Sequence, residues 1–80
     1  MHPDEIKRII LAGMTCEHLE LDGDGQHFLA IVVSLEFAGK SRVQRQQRVY
    51  QTLQDKLATG ELHALSFKTL TPEEWSAQRG

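Results

Sequence analysis

The residues that could do chemistry in this chain are few. Lys40, Arg42, Arg45 and Arg48 put four cations into nine residues with no acid among them, a pattern suited to gripping carboxylates or phosphates. Four histidines (His2, His18, His27, His63) and one cysteine, Cys16, are the soft ligands and proton carriers. Asp22 and Asp24 are the nearest approach to paired carboxylates, but they alternate with Gly23 and Gly25 in a turn, where local side-chain bonding and positive φ account for them. No serine, histidine and acid stand in a nucleophile context, and Cys16 has no activating base close in sequence. The pattern argues against an enzyme. Read on their own, the basic run is a solvated helix flank or a partner-facing patch, His63 is a core histidine bonded to backbone, and His27 is an exposed residue beside a turn. Cys16 reads as a small half-buried apolar residue, and His2 and His18 as surface or strand residues.

These residues need elements to position them. Ser41 is suited to cap a helix, after which Val43, Val49, Tyr50, Leu53 and Leu57 fall within an arc of roughly 120° at 100° per residue, and Gly60 marks the stop. Gln46 sits inside that arc, where Leu or Ile would be usual, and reads as a polar residue at the edge of the packed face. Ahead of it, Pro3, Asp4 and Glu5 open a helix over residues 3–12, with Ile6, Ile9 and Ile10 on one face and Gly13 as a left-handed terminator. Strands are expected over Thr15–Leu21, His27–Leu35 and Leu62–Lys68, the second an almost continuous apolar run typical of a central strand. Thr71-Pro72-Glu73-Glu74 is a capping box for a last helix that Trp75 docks. The order is αββαβα, an α+β fold with a three-stranded mixed sheet. A hairpin joins the first two strands, and the third, reached through a helical crossover, runs parallel to the second if they pair.

Eighty residues make one domain, 1–80, with a marginal core. The formal charge of −2 hides an asymmetry: residues 1–36 carry two basic and seven acidic side chains, residues 37–80 seven basic and four acidic. A net negative chain is a poor general nucleic-acid coat. One cysteine excludes an internal disulfide, and without a secretory h-region the expected compartment is a reducing cytoplasm. No apolar run reaches the roughly 18 residues of a membrane span, so no membrane partner is expected.

The residues resemble the BolA family, in particular its short bacterial IbaG-type branch, over nearly the whole chain. The likeness rests on Gly23-Asp24-Gly25-Gln26-His27-Phe28, on Phe37-Ala38-Gly39-Lys40-Ser41 with Arg45 and Tyr50, and on His63-Ala64-Leu65-Ser66 with Thr71-Pro72-Glu73-Glu74-Trp75. It implies a class II KH-like fold and a non-enzymatic role beside a monothiol glutaredoxin. There the two proteins share a 2Fe–2S cluster with glutathione, for assembly, trafficking or sensing. The family's near-invariant histidine maps onto His63, and its variable second ligand falls in the loop that here offers His27. If the second and third strands are parallel neighbours, both histidines lie at one end of the sheet. Two departures stand out: Arg45-Gln46 replaces the Arg-His of many relatives, and Cys16 lies outside the ligand loop.

Imidazole can replace thiolate on such a cluster, as Rieske centres show. Two histidines leave a metal unsatisfied, so no cofactor is expected in the isolated protein, which would be a monomer or weak homodimer alone. Lys40, Arg42 and Arg45 are then suited to the acidic side of a glutaredoxin or to glutathione carboxylates. The alternative is a DNA-binding transcriptional regulator using Lys40, Arg42, Arg45 and Arg48. KH-style RNA clamping needs Gly-x-x-Gly, and Gly39-Lys40-Ser41-Arg42 ends in arginine.

Overall fold

The computed structural model describes residues 2–23, 27–60, 62 and 64–79. Helix α1 (Pro3–Gly13) opens with Pro at its first position and the Asp4 N–H donating to Nδ1 of His2 at 3.1 Å, so His2 is the N-cap. Strands β1 (His18–Gly23) and β2 (His27–Val33) pair antiparallel, and β3 (Ala64–Leu70) pairs parallel to β2, giving the order β1-β2-β3. A 3-10 turn (Leu35–Phe37), helix α2 (Arg42–Thr52) and a short α3 (Gln54–Ala58) link β2 to β3, and α4 (Pro72–Arg79) follows. The mixed sheet and the αββαβα order are as expected, with the second helix divided at Leu53.

The core lies on one face of the sheet. Ile6 and Ile10 of α1 and Val49 and Leu53 of the α2 segment pack over Leu19, Phe28, Ala30, Val32 and Phe67. Each side chain of this size contributes about 1.5–3 kcal/mol when fully buried. The other face is covered at one end only: Val33 and Leu70 are buried, and Trp75 of α4 stacks on His18 with centroids 4.9 Å apart. Leu29, on the same face further along β2, stays 49% exposed.

The expected strand ends shift for identifiable reasons. β2 stops before Leu35 because the buried Ser34 hydroxyl donates to the Thr15 carbonyl (2.6 Å) and accepts the Glu36 N–H, starting the 3-10 turn. β1 starts after Thr15 because the Thr15 N–H is taken by the Glu36 carboxylate at 2.8 Å. β3 lies two residues further on than Leu62–Lys68, the Leu62 N–H bonding instead to the Lys56 carbonyl.

Two helical expectations are corrected. Gly13 does not terminate α1 in a left-handed conformation; Gly39 and Gly60 hold the positive φ values, +74° and +78°. Gly13 instead lets α1 approach α2, since a Cβ there would lie 2.8 Å from Cγ2 of Thr52. Val43 and Tyr50 are also less buried than their arc implied, 65% and 37% exposed. Tyr50 lies edge-on to Phe67 with its hydroxyl on the Leu65 carbonyl at 3.4 Å, and Val43 lies in the first turn of α2, outside the packed cluster.

Candidate functional site

The neck of the β1–β2 hairpin builds one end of the sheet. Gly23 pairs with Phe28 across the ladder, and a Cβ at Gly23 would clash with the His27 carbonyl. Only glycine permits that approach. It leaves a depression of about 620 Å³ lined by Asp22, Gly23, His27, Phe28, Leu29 and Ser66, with His27 exposed at its edge. The parallel register sets His27 opposite Ala64. His63, the other expected ligand, precedes Ala64 in the chain and lies outside the described residues, as do Asp24, Gly25 and Gln26 of the loop.

Other soft ligands stand elsewhere. His18 pairs with Val33, at the far end of the sheet from His27. Its Nε2 lies 3.3 Å from Oε1 of Glu20, an ion pair only when the ring is protonated and too poorly aligned for a hydrogen bond. Cys16, half-buried against the core, precedes that end of β1. Burial pushes its thiol up, and the charges of Glu17 and Glu36 push it further, against Arg48. A raised thiol is a poor nucleophile and a poor metal ligand. Among the described residues no three His, Cys, Asp or Glu side chains gather as a metal site. His27 and Asp22 are the His and Asp side chains that line the depression at the hairpin neck.

The basic run divides in two. Arg45 donates through Nε to the Lys40 carbonyl (3.0 Å), and through Nη1 to Oε1 of Glu74 (2.7 Å) and the Thr69 carbonyl (3.3 Å), with its guanidinium 5.9 Å from the centroid of the buried Phe37 ring. It ties the 39–41 loop, β3 and α4 together. Arg48 donates to Glu36 and to the Gly13 carbonyl, both at 3.0 Å. The Thr15 N–H and then Arg48 hold the Glu36 carboxyl below its usual range, and Arg45 followed by the Thr71 N–H does so for Glu74. Lys40 and Arg42 are exposed, and Arg42 forms no hydrogen bond or ion pair among the described residues. Sequence reasoning missed the positioning work of Arg45 and Arg48, because their carboxylate partners lie 29 and 12 residues away.

The basic residues and His27 are not neighbours. Arg45 reaches Thr69, five residues along β3 from Ala64, a distance of about 16 Å at the rise of a strand.

This architecture is that of a small three-stranded mixed α/β domain with an open depression at its hairpin neck. Residues 10–74 match the family model described as BolA-like protein. The chain is 38% identical over 79 residues to the "Acid stress protein IbaG" of Escherichia coli K12, covering 99% of this chain and 94% of that one. It is 45% identical over 56 residues to the "DNA-binding transcriptional regulator BolA" of Haemophilus influenzae, covering 70% of this chain and 53% of that one. A solved BolA homologue from Coxiella burnetii superposes with a TM-score of 0.85 at 34% identity, covering 95% of this chain and 97% of that one. The chain belongs to the BolA family.

Proposed function

We propose that the protein is a non-enzymatic adaptor of the reducing cytoplasm. It pairs with a monothiol glutaredoxin and contributes His27 and His63 to a 2Fe–2S cluster that the two proteins share with glutathione. The observation that carries this reading is the parallel β2–β3 register. It sets His27 opposite Ala64, the residue that follows His63 in the chain. Support also comes from the exposure of His27 beside an open depression, where a second protein could complete the coordination. Neutral imidazoles leave the cluster less negative than thiolates and raise its potential.

The separation of about 16 Å along β3 between Ala64 and the Arg45 contact at Thr69 favours the glutaredoxin surface over glutathione as the partner of Arg45. An extended tripeptide spans only about 10 Å, too short for glutathione to hold iron beside His27 and reach Arg45. The test is reconstitution with a monothiol glutaredoxin, glutathione and iron, read by visible circular dichroism. The heteromeric spectrum is expected to be lost in His63→Ala and weakened in His27→Ala. Identical spectra with and without this protein would end the proposal.

The second reading, DNA binding through the basic helix, draws on the printed name of the Haemophilus relative and on the exposure of Lys40 and Arg42. With Arg45 and Arg48 held by Glu74 and Glu36, Lys40 and Arg42 are the cations of the run that make no salt bridge among the described residues. Duplex binding would then lose affinity with salt at a log–log slope of about −2, against about −4 for all four.

A further inference from the structure

We propose that the outer edge of β3 is a docking site for a short, extended, acidic peptide segment, which adds to the sheet as a fourth strand. The proposal is independent of the iron–sulfur reading and needs neither His27 nor His63. β3 is an edge strand, so alternate residues point their backbone N–H and C=O groups away from β2. Leu70 faces inward, its carbonyl accepting the Ser34 N–H at 2.9 Å, so Leu65, Phe67 and Thr69 face outward. Two of these carbonyls are already used, Leu65 by the Tyr50 hydroxyl and Thr69 by Arg45. Phe67, midway between them, has no such partner among the described residues. Its N–H and C=O form the one-residue pairing unit that an incoming strand would engage.

The space beside that unit is a groove, not a flat edge. A depression of about 540 Å³ runs between α2, β3 and α4, lined by Arg42, Arg45, Phe67, Lys68, Thr69 and Glu74, with Leu70 at its end. Its charge selects the occupant. The Glu74 carboxylate is paired with Arg45 at 2.7 Å and also accepts the Thr71 N–H. Arg42 and Lys68 are exposed and make no salt bridge among the described residues. Arg42 approaches from the helical side of the sheet and Lys68 from the opposite face. Successive side chains of an added strand alternate between those faces, so two consecutive acids would meet one cation each. A nucleic-acid strand could neutralise the same cations but has no N–H and C=O ladder to offer Phe67, which favours a peptide.

The test uses the full chain, nitrogen-15 labelled, without glutaredoxin, glutathione or iron, so its outcome is separate from that of reconstitution. The probe is the blocked peptide acetyl-Val-Glu-Asp-Val-amide, with acetyl-Val-Gln-Asn-Val-amide and a short oligothymidine of equal charge as comparisons. The acidic peptide is expected to give saturable shifts centred on Phe67 and Lys68 and to slow exchange of the Phe67 amide several-fold. Affinity should fall about tenfold or more in the double variant Arg42→Ala/Lys68→Ala, whose fold is checked from its unshifted remaining amides. Unchanged Phe67 exchange at saturation overturns the proposal, as does equal binding of the amide peptide. Equal protection of Phe67 by oligothymidine overturns it too, and would make the groove a phosphate site.

Discussion

Replacement of Gly13 by alanine isolates the contact that sets the two helices against each other. Gly13 is the last residue of α1 and has no positive φ, so an alanine suits its backbone and should stabilise an isolated helix by about 0.5–1 kcal/mol. Packing opposes this. The new Cβ would lie 2.8 Å from Cγ2 and 3.0 Å from Cβ of Thr52. Thr52 cannot swing aside cheaply, being β-branched with its hydroxyl donating to the Val49 carbonyl at 2.6 Å. Overpacking of this kind costs about 1–3 kcal/mol, leaving a net loss of about 1–2 kcal/mol and a Tm lower by about 4–16 °C in a chain of this size. Thr52→Ser removes the clashing methyl and keeps the hydroxyl bond, so the double variant should recover about 1 kcal/mol relative to additivity. Urea denaturation of the four proteins closes the cycle. A Gly13→Ala protein as stable as its parent, or a strictly additive cycle, would refute the close-approach argument.

Two further outcomes follow from the paired cations. Arg48→Ala should cost about 1 kcal/mol or less, since its bonds to Glu36 and the Gly13 carbonyl are partly exposed, and Glu36→Gln should add little on top of it in the same denaturation assay. Stability should also fall as pH drops below the ordinary carboxylate value of 4.5. Glu36 and Glu74 are depressed in the folded state, so the unfolded chain binds protons first and stability rises with pH across that window. Glu36→Gln and Glu74→Gln should each flatten that slope in urea titrations from pH 3 to 6, at roughly half-unit steps.

What could be read from the sequence was local. Thr71-Pro72-Glu73-Glu74 announces α4 because its capping bonds close within four residues, and the structure contains both of them. Ser41 is equally legible, and Gln44 completes its box. The hairpin and the parallel third strand follow from turn chemistry and connection length. Gly13 was ambiguous because a glycine at a helix end serves either a left-handed φ or a close neighbour, and the neighbour, Thr52, is distant in sequence. Val43 was misplaced because helical periodicity gives a face but not how far the sheet extends beneath it. At the candidate site, the identity of His27 and its strand-end position were legible. The commitments of Arg45 and Arg48 were not, since they depend on which carboxylates the fold brings round.

The geometry also constrains how any partner can engage the molecule. The depression at His27 and the groove at Arg42 lie at opposite ends of β3, joined by the β2–β3 ladder from His27–Ala64 to Val33–Leu70. A ladder of seven paired residues is stiff, so the two ends move as one body and cannot close on a small ligand together. Arg45 reinforces this by fixing the 39–41 loop to β3 and α4 at three points. A partner that uses both must therefore span the fixed distance from Ala64, opposite His27, to the groove, about 10 Å to Phe67 and about 16 Å to Thr69. One that uses a single end can be exchanged without disturbing the other. Loss of Arg42 and Lys68 should thus weaken binding at the groove while leaving the hairpin neck unchanged, and loss of His27 should alter the neck without weakening binding at the groove.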